Sequence, residues 1–86
     1  MLRPDLCDVE ERLARVLARA TALLPHDQLS DMASLVQAGE PGIALENFRT
    51  QLHEYDVSVT PELATELDAL AATMGLRLSP PLKVAP

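Results

Sequence analysis

The sequence predicts an all-α fold: a compact single-domain bundle of about four short amphipathic helices. Three observations carry this prediction. Apolar residues recur at three- and four-residue spacing in four separate stretches, the period of a helix with one buried face. Those stretches are divided by residues that stop or start helices, namely Pro25, Gly39, Pro41, Thr60, Pro61 and Gly75. The connections are short, and helices of this length are not stable alone in water, so each must bury its stripe against the others.

The first helix is expected from about Leu6 to Leu24, with Asp5 as its N-cap. Leu6, Val9, Leu13, Val16, Leu17, Ala20, Leu23 and Leu24 share one side, opposite Asp8, Glu11, Arg12, Arg15 and Arg19. Asp8 to Arg12 and Glu11 to Arg15 are i,i+4 pairs in the favourable order, worth about 0.2–0.5 kcal/mol each. Pro25 disfavours a helical residue before it and opens a second helix after it, from about His26 to Ala38, with Leu29, Met32, Ala33 and Val36 as a narrow stripe and Leu35 at its edge.

A third helix is expected from Pro41 to about Tyr55. Ala44, Leu45, Phe48, Leu52 and Tyr55 form its apolar face, and Glu46, Asn47, Arg49, Thr50, His53 and Glu54 its polar one. Ile43 falls off the stripe, which leaves it either packed under the turn or exposed to a partner. Residues 56–59 read as an extended connector. Thr60 caps a fourth helix, with Pro61 at its first position and Leu63, Leu67, Leu70, Ala71 and Met74 as its stripe, until Gly75 stops it. Leu76-Arg77-Leu78 reads as a short docking segment. The domain therefore spans residues 1–78, and Pro80 and Pro81 predict a frayed, flexible Pro-rich tail over 79–86.

The connection between the second and third helices is the most distinctive stretch. Gly39 lacks a Cβ and can take the left-handed conformation that closes a helix, while Pro41 loses nothing in a first turn where its N–H has no partner. Gly39, Glu40, Pro41, Gly42, Ala44 and Leu45 thus read as a tight helix–helix turn. The pattern Gly-Glu-x-Gly-x-Ala-Leu-Glu, preceded by Leu35-Val36 and continued by Val59-Thr60-Pro61 and Met74-Gly75, also resembles the signature of MafI-type immunity proteins. The resemblance runs from about Leu29 to Gly75. It implies a small bacterial cytoplasmic protein that binds and neutralises a cognate secreted toxin, with no cofactor and no catalytic residue.

Charge narrows the classes further. The net charge of −6 opposes phosphate backbones, so nucleic acid is not expected as a partner. Residues 1–25 balance four arginines against four acids, whereas residues 26–68 carry nine acids against the single base Arg49. A solubilising surface accounts for such an excess; so does a field that steers a basic partner, such as the effector domain of a toxin. Joined to the resemblance, the second reading assigns partner contact to Glu46, Glu54, Glu62 and Glu66. Cys7 is the sole cysteine, so no internal disulfide is possible and a reducing compartment fits. No run has the length of a membrane span and no apolar core follows the first residues, so the expected location is the cytoplasm.

Catalysis is not expected. Cys7 has no histidine or other base near it in sequence, His26 and His53 are isolated, and no catalytic, cofactor or metal residue is assigned. The leading function is therefore an immunity protein. The alternative is an acidic helical carrier or adaptor, although Ser30 and Ser34 lack the aspartate–serine–leucine setting of a phosphopantetheine site. A helix-turn-helix DNA binder ranks last, because its recognition helix would present Glu46 and Glu54 to phosphates.

Overall fold

The helices form close to where the periodicity places them: α1 over Leu6–Arg19, α2 over His26–Gln37, α3 over Pro41–Glu54 and α4 over Pro61–Thr73. The computed structural model describes residues 6–77 and 82–85, with side chains described from Asp8 onward. The expected Asp5 cap, Leu78 and residues 79–81 and 86 lie outside the described residues, as do the side chains of Leu6 and Cys7. The largest difference is in α1, which stops at Arg19 rather than running to Leu24. Residues 20–24 continue as tight turns in which the Leu23 N–H donates to the Ala20 carbonyl at 2.8 Å, keeping Ala20 and Leu24 buried while the chain bends into Pro25.

Helix ends follow one recurring device. Behind α2 the Glu40 N–H donates to the Leu35 carbonyl at 2.8 Å and the Gly39 N–H to that of Val36 at 3.0 Å, with Gly39 at φ 82°. This paired closure satisfies two carbonyls that a helix end otherwise leaves open. The same pattern ends α4 at Gly75 and α3 at Asp56, a non-glycine residue at φ 56°. The start of α4 is capped as expected, the Thr60 hydroxyl accepting from the Leu63 N–H at 3.1 Å.

Packing joins these elements into a rhombus. Helices α1 and α3 meet across its short diagonal, while α2 and α4 each touch both of them and not one another. Val9, Leu13, Val16 and Leu17 of α1, Leu29, Met32 and Val36 of α2, Ala44, Leu45, Phe48 and Leu52 of α3, and Leu67, Leu70 and Ala71 of α4 form one buried cluster. Each fully buried leucine in it stabilises the fold by roughly 1.5–3 kcal/mol relative to exposure.

Because α3 faces three neighbours, its buried arc is wide, and this corrects the reading of two residues on it. Arg49 was expected on the polar face and is instead buried at 3 % exposure. Tyr55 was expected on the apolar face and is instead half exposed, because α3 ends at Glu54 and Tyr55 serves as its C-cap.

The tail also departs from expectation. Residues 82–85 lie along the connector between α3 and α4, where the Val59 N–H donates to the Lys83 carbonyl and the Ala85 N–H to the Val59 carbonyl, both at 2.8 Å. They form an isolated parallel bridge between Val59 and Val84. Leu82 packs against the core, and Lys83 Nζ reaches Asp56 Oδ1 at 2.6 Å. The connector itself is extended, as the sequence suggests, with Val59 buried at 1 % exposure.

Candidate functional site

The turn that carries the sequence signature stands at one pole of the bundle. There the end of α2, the start of α3, the end of α4 and the first turn of α1 converge around an open cleft of about 540 Å³. Val9, Pro41, Met74 and Leu76 supply apolar walls, and Glu40 and Glu46 stand at the opening. Gly42 lies against this wall: a Cβ built on it would meet Leu76 Cδ1 at 3.6 Å, ordinary contact rather than a clash. Ala44 and Leu45 point the other way, fully buried beneath the turn. The signature residues thus divide between a helix closure, core packing and a cleft wall.

Ile43, which the spacing left undecided, is 47 % exposed beside the cleft. It lies in the first turn of α3, one residue ahead of the buried pair Ala44 and Leu45, so helical geometry turns it outward.

The four glutamates read as partner contacts do not meet at one point. Glu46 belongs to this pole. Glu62 and Glu66 flank a second groove, of about 300 Å³, between the end of α1 and the start of α4. Glu54 is exposed at the last position of α3. Glu66 is half-buried and paired, its Oε1 accepting from Arg19 Nη2 at 2.8 Å. Nothing in the local sequence announces that pair, because its partners are 47 residues apart. Of the two pairs expected within α1, Asp8–Arg12 forms at 3.4 Å.

Electrostatics at the surface is simple. The nine acids of residues 26–68 all reach solvent, eight as exposed residues and Glu66 as a half-buried one, whereas Arg49 is largely covered. Burial lowers the Arg49 pKa from its ordinary value, and the guanidinium remains charged at any physiological pH. Asp56 is held below the ordinary carboxylate value, first by its hydrogen bond from Lys83 and then by the Lys83 charge. Lys83 and Arg19 therefore each neutralise one carboxylate from outside the acidic segment.

Exposed carboxylates around apolar recesses are suited to binding. His26 and His53 are both exposed and lie on different helices, and Ser30 and Ser34 are exposed within α2 rather than at its first turn. Among the described residues no group of three or more His, Cys, Asp and Glu side chains is placed to hold a metal ion. No described helix is long and apolar enough to cross a membrane. No protein-family model, curated protein or solved structure matches the chain.

Proposed function

We propose that this chain is an immunity protein that binds a cognate secreted bacterial toxin and neutralises it by non-catalytic contact, acting in the cytoplasm on a toxin with a basic effector domain. The observation that carries the reading is the acidic excess over residues 26–68. Nine carboxylates reach the surface there, two of them paired with Arg19 and Lys83, and the one base among them is buried at 3 % exposure. A surface of that kind attracts a basic protein over a distance of about a Debye length, roughly 8–10 Å at physiological salt, and opposes phosphate. The resemblance of Gly39–Glu46 to the MafI-type signature supplies the specific class. A binder of this type works by speed of association and a few buried anchors, so it needs no reactive group.

The reading expects a large secreted toxin in the neighbouring reading frame, and the test is co-expression with the effector domain of that toxin. Cells carrying the toxin's effector domain are expected to survive when the chain is present and die when it is absent, with the two proteins co-purifying. Equal killing with and without the chain overturns the immunity reading.

A further inference from the structure

We propose that the cleft at the signature pole is the docking site for a partner segment that presents one large apolar side chain flanked by lysine or arginine. This rests on the binding role proposed above and names what part of the partner is gripped. A lone exposed isoleucine is ordinary on a protein surface. Ile43 differs because it adjoins a concavity of about 540 Å³, within the roughly 300–1,000 Å³ typical of clefts that hold ligands. Val9, Met74 and Leu76 wall that concavity with apolar surface, so a buried aliphatic or aromatic side chain is the natural occupant.

The charge at the rim fixes the chemistry around that anchor. Glu40 and Glu46 both stand exposed at the opening, and neither is in an ion pair with a described residue. The start of α3 opposes them with a macrodipole equivalent to only about half a positive charge, against two full negative ones. The local field therefore favours cations. The other recesses differ in this respect. The α1–α4 groove sets Arg19 beside Glu62 and Glu66 and pairs it with Glu66, leaving one carboxylate there rather than two; the recess beside the α3–α4 connector has Asp56 paired with Lys83, and the α1–α2 groove has no carboxylate in its lining.

The test is selection of random peptides displayed on phage against the full chain. Selected sequences are expected to converge on an apolar residue with lysine or arginine neighbours. A synthetic copy of one should perturb the amide resonances of Ile43, Glu46 and Met74. Ile43→Asn is expected to weaken that peptide about tenfold, and Glu46→Lys to weaken it with no change to the apolar wall. Val84→Asn, at a residue 46 % exposed beside the α3–α4 connector, should leave it unchanged. Selection of acidic or uncharged peptides, or binding that survives both Ile43→Asn and Glu46→Lys, overturns the proposal. Protection from the neighbouring toxin is scored separately. A chain that protects equally well with Ile43→Asn keeps the immunity reading and loses this site. A chain that selects basic–apolar peptides through Ile43 yet gives no protection keeps the site and loses that reading.

Discussion

Gly39 and Gly42 stand three residues apart in one turn and answer to different constraints. Gly39 holds φ 82°, a region in which a side chain is strained even where space is free, and nothing lies within 4 Å of a Cβ built there. The cost of replacing it is therefore conformational and falls most heavily on β-branched residues. Gly39→Val is expected to destabilise by about 1–3 kcal/mol. Gly42→Ala should be neutral or slightly stabilising, because its Cβ fits and alanine favours the helix. Urea unfolding midpoints of the two variants check this, and a reversed order would contradict the closure at Gly39. Asp56 makes the complementary point. It takes the same left-handed conformation, yet residues 56–59 read from sequence as simply extended, since aspartate marks no single backbone geometry. Its carboxyl titrates below the ordinary value because Lys83 donates to it. A depressed folded-state pKa contributes stability above the unfolded pKa and loses it as pH falls through the folded one. Lys83→Ala should therefore raise the Asp56 pKa towards the ordinary value in an NMR titration. Melting temperature near neutral pH should scarcely move, because the pair is exposed to solvent.

At the scale of an element, α3 shows both how far periodicity reaches and where residue type misleads. Its buried positions are Pro41, Ala44, Leu45, Phe48, Arg49 and Leu52, the i, i+3, i+4, i+7, i+8, i+11 series of an amphipathic helix. Spacing alone places Arg49 on that stripe; its charge argues it off. The long aliphatic stem of arginine packs where its head cannot be predicted to go. Arg49→Met keeps most of that stem and is expected to cost less stability than Arg49→Ala, as urea unfolding midpoints of the two will show. The register of α4 was legible outright, because Leu63, Leu67, Leu70 and Ala71 repeat cleanly and Thr60 announces the start. Leu70 is fully buried, so Leu70→Ala should cost about 2–5 kcal/mol, and Thr60→Ala about 0.5–2 kcal/mol through loss of the hydrogen bond to the Leu63 N–H. A melt unchanged by Leu70→Ala would contradict the packing of α4. The docking of residues 82–85 was illegible for a different reason: two backbone hydrogen bonds to Val59 leave no trace in side-chain pattern, and the neighbouring prolines point towards a free tail.

For the whole molecule, the sequence shows how much charge there is but not how it is arranged. The excess of acids over residues 26–68 is visible by inspection, whereas the pairs that trim it join Arg19 to Glu66 across 47 residues and Lys83 to Asp56 across 27. Nor does sequence show that Glu46 and the Glu62–Glu66 pair stand at different recesses. This arrangement shapes the expected kinetics. Steering depends on the summed field, so neutralising Glu46, Glu54, Glu62 and Glu66 together should slow association with a basic toxin domain and flatten its salt dependence. The four are not equivalent. Each single change removes one negative charge, but Glu66→Gln also leaves Arg19 without its ion-pair partner, whereas the Glu54 side chain is in no ion pair with a described residue. Glu46→Gln should act on dissociation as well, because that residue alone of the four lines the cleft beside Ile43. Stability of the quadruple variant should remain close to that of the parent, since surface ion pairs contribute at most about 1 kcal/mol. Stopped-flow association at low and high salt separates these effects. A quadruple variant that associates at the parental rate in low salt would leave the acidic surface a solubilising one, whatever protection the protein confers.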